Sequence, residues 1–211
     1  SIICNSDFAM EKSLLYHTWL MNISNALENI RKQNELKIVV NRLDKLSASD
    51  GLTGVLNRHG FFRYAKNAVS DCITKKCKMA IIYFDLDSLK FINDNFGHEE
   101  GDAAIKAVAD TIVGECRKED LCARFGGDEF VFLGVNYSEE RALEFCNTIN
   151  KKLEKFNASS NRPYKVMTSH GYYIFTLQES GQLSEFINIA DSRMYKNKYE
   201  KKKQSSLNIN E

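Results

Sequence analysis

No apolar run in the 211-residue chain approaches the ~20 residues that a membrane-spanning helix needs, so no membrane contact is expected within it. An excess of charge of one sign is also missing. The formal net charge is +1, which removes any global attraction for DNA, RNA or an anionic lipid surface, and phosphate binding must therefore be local. The six cysteines, Cys4, Cys72, Cys77, Cys116, Cys122 and Cys146, lack the dense spacing of a disulfide scaffold, and a reducing cytoplasm fits them best. Cys72 and Cys77 are the only close pair, and zinc would need two more ligands at comparable spacing, which the chain does not offer. Hydrophobic content of 43% and charged content of 27% are near globular averages and exclude wholesale disorder or a collagen-like class. The chain opens on Ser1 rather than methionine and is read as a piece of a longer protein, whose remainder has room for a sensor or a membrane anchor.

What is present divides into two parts and a tail. From Phe8 to Leu46 there is no proline or glycine, and apolar residues recur at steps of three and four: Leu20, Ile23, Leu27, Ile30, then Leu36, Val39, Leu43, Leu46. A strict heptad from Ile30 reaches Lys37 rather than Leu36, so either a coiled-coil seam is interrupted or the helix breaks near Gln33–Asn34. Residues 1–46 are expected to be a helical signalling segment that pairs with its copy, or else a helix packed on its own domain. "SASDGLTG", Ser47 to Gly54, ends it with turn-forming residues, a globular domain occupies 47–203, and a polar tail covers 204–211.

Within the domain, Phe62, Ala65 and Val69 mark a helical face, and "KMAIIYFD" is a continuous apolar run suited to a central buried strand. Ile105, Val108, Ala109 and Ile112 give the next helix. "LCARF" and "FVFLG" form a hairpin around Gly126–Gly127. Ser138 caps a helix carrying Ala142, Phe145, Ile149 and Leu153, "YKVMTSHGYYIF" is a fourth strand, and a last helix runs from about Ser184 to Lys198. Strand, helix, strand, strand, helix, strand is the ferredoxin-like order, an α+β fold with a central antiparallel sheet flanked by helices. In that topology the end of the first strand meets the hairpin tip.

The meeting point is acidic. "FDLDSLKFIND" ends the first strand with Asp85, and "RFGGDEF" places Asp128 and Glu129 at the tip, so three carboxylates converge. Such a cluster either raises its own pKa values or binds a hard divalent cation such as magnesium, as in a nucleotide-polymerising palm. The two glycines suit a tight turn and close approach of a ligand. On "GGDE" alone, a simple turn with solvated acids reads equally well.

With "DGLTGVLNR", "FDLDSLKFIND", "FGHEEGD", "RFGGDEF" and "ADSRMYKNKYEKK" in order from Asp50 to Lys202, the chain resembles the GGDEF family of diguanylate cyclases. The resemblance implies a nucleotide-cyclase palm and the joining of two GTP into cyclic di-GMP with release of pyrophosphate. Carried over by position, Asp85, the main-chain carbonyl of Leu86, Asp128 and Glu129 would bind Mg2+ or Mn2+, with Asp128 also named as proton acceptor in the family. Lys90 would stabilise charge at the reacting phosphate, and the N–H groups of Ser88 and Leu89 would cradle the triphosphate. Lys198 and Lys202 match two basic positions, with lysine replacing the usual arginine at Lys202. Asn93 and Asp102 would read guanine, and His98 either lines that pocket or is structural. Arg117 and Asp120, in "RKED", match the inhibitory RxxD pattern that binds cyclic di-GMP, against a solvated surface pair. His170 departs from the apolar residue usual in "SIG" and is either a satisfied core histidine or a pH-sensitive perturbation of the sheet. Each domain would hold one GTP, so a homodimer is implied. The competing expectation is a silent domain that serves as a cyclic di-GMP or GTP receptor or as a scaffold.

Overall fold

The computed structural model describes residues 3–46, 48–176 and 182–207, with side chains at 16–40, 48–176, 182–201 and 203. By its internal contacts the chain divides into two units, Ser1–Leu46 and Ser47–Glu211. The first is one helix, α1 (Ile3–Leu46), unbroken through Gln33–Asn34. With neither proline nor glycine there is no backbone reason for a break. The ion pairs Glu28–Lys32 (3.0 Å) and Arg31–Glu35 (3.1 Å) add support across that point. The change of register thus interrupts the apolar stripe and leaves the helix intact. Trp19, Leu27, Ile30, Leu36 and Val39 are all more than half exposed on it.

The second unit runs β1 (Leu56–Asn57), α2 (Arg58–Lys75), β2 (Lys78–Leu86), α3 (Leu89–Phe96), α4 (His98–Val113), β3 (Leu121–Arg124), β4 (Glu129–Val135), α5 (Glu139–Ser159), β5 (Thr168–Thr176) and α6 (Leu183–Leu207). The sheet order is β1-β3-β4-β2-β5. Its four longer strands are antiparallel in the ferredoxin-like order, with β2 in the middle between β4 and β5. The two-residue β1 adds a parallel edge to β3, which hydrophobic periodicity does not reveal over so short a span. α6 continues to Leu207, so the expected tail from 204 begins helical; no glycine or proline follows Gly181 to stop it. Among the described residues no helix is long and apolar enough to cross a membrane.

Because side chains alternate along β2, its apolar run feeds two cores. Ala80, Ile82 and Phe84, with Phe130 and Phe132 of β4, meet Ile105, Val108 and Ile112 of α4 and Phe145, Ile149 and Leu153 of α5. Met79 and Ile81, with Val131 and Leu133, meet Phe61 and Ala65 of α2 and Phe186, Ile187, Ala190 and Met194 of α6. The expected Ser138 cap is present, accepting from the Arg141 N–H at 3.3 Å. Gly171 sets how closely α6 lies on β5: a Cβ there would fall 2.2 Å from the Met194 nitrogen and 2.3 Å from the Ala190 oxygen, both backbone atoms that cannot give way.

The expectation for the cysteines needs correction. Cys72 and Cys77 are joined as a disulfide, with their Cα atoms 5.3 Å apart. Lys76 closes α2 in the left-handed conformation (φ 51°), which folds Cys77 back onto Cys72. Six residues of sequence carry no sign of that backbone reversal.

His170 lies buried beside Phe84, ring centroids 6.0 Å apart, and its Nδ1 finds no hydrogen-bond partner among the described residues. Burial, reinforced by the charge of Lys201, holds its pKa down at about 4. A lowered histidine pKa means that the unfolded chain takes up the proton first as pH falls. The stability is therefore whole above pH 6.5 and is lost progressively toward pH 4, by up to about 3 kcal/mol from this group. Denaturant titrations across this range should show the loss in wild type and a flatter profile in His170→Ile; equal slopes would show that His170 is not the titrating group.

Candidate active site

At the C-terminal end of β2 the pairing register places Asp85 directly opposite Glu129 on β4 and Ser169 on β5. One residue on, the Leu86 N–H donates to the Asp128 carbonyl at 2.9 Å, so the strand end and hairpin tip are tied through the backbone. The strand end and the hairpin tip that carry the three acids therefore lie side by side. Asp85 is buried, and Lys198 of α6 donates to its carboxylate. Burial raises the Asp85 pKa, with Asp128 and Asp87 adding repulsion and Lys198 pulling the other way. Burial also works against the Lys198 charge, but the hydrogen bond to Asp85 and the field of Asp87 and Asp128 keep its pKa above the ordinary lysine value.

The three acids nonetheless face different partners. Glu129 hydrogen-bonds with Tyr83, whose hydroxyl is pushed up first by burial and then by this carboxylate. Among the described residues no group of three acidic, histidine or cysteine side chains is arranged to hold a metal ion. The donor set still fits a hard cation: the carboxylates of Asp85 and Asp128 act together on the Lys198 ammonium, which already sits on Asp85 as a cation.

The hairpin tip is held from behind. Arg124 donates from Nε to the Gly126 carbonyl at 3.1 Å and from Nη2 to the Gly127 carbonyl at 2.8 Å, while Nη1 reaches Asp50 at 3.2 Å. Thr53 donates to the same Asp50 carboxylate from its N–H (2.9 Å) and hydroxyl (2.6 Å). Burial alone would raise the Asp50 pKa, but the Thr53 and Arg124 contacts bring it below the ordinary value. Sequence reasoning picks out both motifs and misses this pairing, because 74 residues separate the two side chains. Neither hairpin glycine has a positive φ. Gly126 instead leaves room for Glu129, whose Oε2 would lie 2.6 Å from a Cβ at that position.

The left-handed residue of the site is Ser88 (φ 60°, ψ 27°), which turns the chain from β2 into α3. Asp87 anchors that turn, donating its N–H to the Met167 carbonyl and accepting from the Ser169 hydroxyl, at 2.9 and 2.8 Å. Leu89 then opens α3, where the first N–H groups lack intrahelical acceptors, and Lys90 follows exposed in the first turn. Asn93, half-buried, presses on α4 so closely that a Cβ on Gly101 would fall 1.9 Å from its Oδ1. Asp102 is the next residue, exposed, as is His98 at the start of α4. The side chain of Lys202 lies outside the described residues.

Arg117 and Asp120 are not a solvated pair. The Asp120 carboxylate is wholly enclosed and accepts from the Arg117 N–H (3.0 Å), the Val135 N–H (3.1 Å) and the Tyr137 hydroxyl (3.2 Å). The Arg117 guanidinium stands 4.6 Å over the Tyr137 ring.

Comparison with known proteins identifies the family. Residues 47–204 match the family described as "Diguanylate cyclase, GGDEF domain". The probable diguanylate cyclase DgcJ of Escherichia coli (strain K12) is 30% identical over 194 residues, covering 92% of this chain and 37% of its own. Diguanylate cyclase A of Treponema denticola is 28% identical over 206 residues, covering 95% of this chain and 55% of its own. The solved GGDEF domain of TpbB (YfiN) from Pseudomonas aeruginosa superposes with a TM-score of 0.65 at 28% identity, covering 72% of this chain and 89% of that one. The chain thus spans between a third and just over half of these two curated relatives.

Replacing Lys198 by methionine leaves Asp85 buried without its cation and should cost about 1–3 kcal/mol at neutral pH. Asp85 then rises further above its unfolded value of 3.8. A raised carboxyl loses stability as pH rises, so the deficit of Lys198→Met should shrink as pH falls toward 4. A deficit that is the same at pH 7 and pH 4, measured by urea unfolding, would refute the pairing.

Proposed function

The chain belongs to the GGDEF family of diguanylate cyclase domains, and on that footing we propose that it condenses two GTP molecules into cyclic di-GMP with release of pyrophosphate. The observation that carries the reading is the register of Asp85 against Glu129, with Asp128 tied to Leu86 at the same strand end. Asp85, the Leu86 carbonyl, Asp128 and Glu129 are the residues that would hold magnesium or manganese. Such an ion supplies polarisation of the α-phosphate, a more acidic 3′-hydroxyl and neutralisation of the leaving pyrophosphate.

The remaining work falls to the chain itself. Ser88 and Leu89 present main-chain N–H groups to the triphosphate, and Lys90 stabilises charge on it. Lys198 exchanges its bond to Asp85 for phosphate oxygens when the nucleotide arrives, and Lys202 adds a second positive charge. Asn93 and Asp102 select guanine, since a carboxylate accepts from its N1–H and exocyclic amine and adenine lacks that donor pair; His98 borders the same corner. Asp128 would serve first as a ligand, and a metal-bound carboxylate is a weak base.

One domain holds one GTP, so two chains must face each other, and α1 pairs with its copy through its exposed apolar side chains. The second messenger and its GTP precursor place the domain on the cytoplasmic side. Product inhibition at the "RKED" turn would rest on the Arg117 guanidinium, because the Asp120 carboxylate already accepts three internal hydrogen bonds. The bond from Lys198 to Asp85 favours one further reading, a silent domain that binds GTP or cyclic di-GMP as a receptor or scaffold.

Turnover separates them. With GTP and magnesium, cyclic di-GMP should form at a rate steeper than linear in protein concentration, and Asp128→Ala should lower it on the order of a hundredfold or more. A chain lacking residues 1–46 should lose specific activity on dilution sooner than the full chain. Nucleotide binding without product at any concentration would move the assignment to the receptor.

A further inference from the structure

We propose that Cys116 and Cys122 form a redox-active dithiol that closes to a disulfide around the Arg117–Asp120 turn. Cys116 stands half-buried just after α4, its sulfur donating to the Ile112 carbonyl at 3.3 Å. Cys122 is the second residue of β3 and is buried, close enough to Cys116 for the two thiols to interact. Both line one cavity of about 540 Å³, together with Val113, Asp120 and Leu121, so a small reagent reaches the pair from one side. Three features thus coincide: two neighbouring thiols, one cavity lined by both, and a turn between them that belongs to no strand or helix.

The environments set the order of events. The contact with Cys116 and burial hold the Cys122 pKa well above that of an ordinary thiol, so Cys116 is the first to attack. The oxidant is a low-molecular-weight disulfide. The Cys116 thiolate attacks one of its sulfurs, the small disulfide bond breaks, and one small thiolate leaves. Cys122 then loses its proton and attacks the Cys116 sulfur, forming the protein disulfide and expelling the second small thiolate. Two protein protons end on the two small thiols, and two electrons pass from the protein to the reagent. Cys146 takes no part: it is fully buried in α5, its pKa pushed up to about 12 by burial. Cys72 and Cys77 are already joined. Closure ties the two ends of the turn, so the position of Arg117 over Tyr137 becomes a function of redox state.

The test is a non-reducing tryptic map of the full chain after exposure to oxidised glutathione and alkylation of the remaining thiols. Trypsin cuts after Arg117 and Lys118, so the disulfide would link peptide 107–117 to peptide 119–124. That linked pair is expected in wild type. Cys122→Ser should stop at a glutathione adduct on Cys116, and Cys116→Ser should slow reaction at Cys122 at least about tenfold. If the serine variant of Cys122 does not fold, Cys122→Ala replaces it. The Cys72–Cys77 link, split at Lys75 and Lys76, reports that the map is working. A wild-type adduct on Cys116 without the link, or Cys122 reacting equally fast in Cys116→Ser, would overturn the proposal.

Discussion

Acidic side chains crowded at one strand end repel, and much of the second unit is arranged to tolerate Asp85, Asp128 and Glu129 there. The repulsion is divided rather than cancelled. Asp85 is given the Lys198 ammonium and Glu129 the Tyr83 hydroxyl, so these two acids have separate partners on the α6 side of the sheet. That arrangement depends on how closely α6 approaches β5, which Gly171 permits by having no side chain where the helix backbone crosses. The hairpin tip depends in turn on Arg124, whose guanidinium joins its carbonyls to Asp50. A sheet end loaded with negative charge is thereby held ready for positive charge. Lys198 supplies it within the chain, and a divalent ion with a triphosphate would supply it in the reaction.

The two units contribute different things. In the proposed reaction the second would bind and align one nucleotide, and a reaction between two GTP molecules would need two such sites brought together within about an ångström of the productive geometry. The first is a single helix whose apolar side chains are exposed over its described length and whose stripe changes register without a break in the backbone. Such a helix buries little by itself, and its stability as a long isolated element comes from what it packs against. The proposed pairing with a copy would meet both needs.

Much of this architecture is legible in the order of the residues. The apolar run of β2, the stripes of α4 and α5 and the glycine-centred hairpin follow from periodicity, and the ferredoxin-like order then obliges Asp85 to approach the tip. What escapes depends on contacts distant in sequence or on backbone detail. The two residues of β1 carry no period. The Asp50–Arg124 brace spans 74 residues, and Lys76 and Ser88 take positive φ values that residue identity alone does not announce. Asp120 reads in sequence as a ligand-facing acid. Only the return of β4 and Tyr137 reveals that its carboxylate is already bonded within the fold.

The central claim is that this acidic strand end exists to take a cation that Lys198 otherwise provides. Manganese titration followed by electron paramagnetic resonance, with a non-hydrolysable GTP analogue present, tests it directly in the full chain and in Asp85→Asn. The account predicts bound manganese in wild type and affinity at least about tenfold weaker in Asp85→Asn, consistent with loss of a ligating carboxylate. Equal manganese binding by the two proteins would place the cation elsewhere and contradict it.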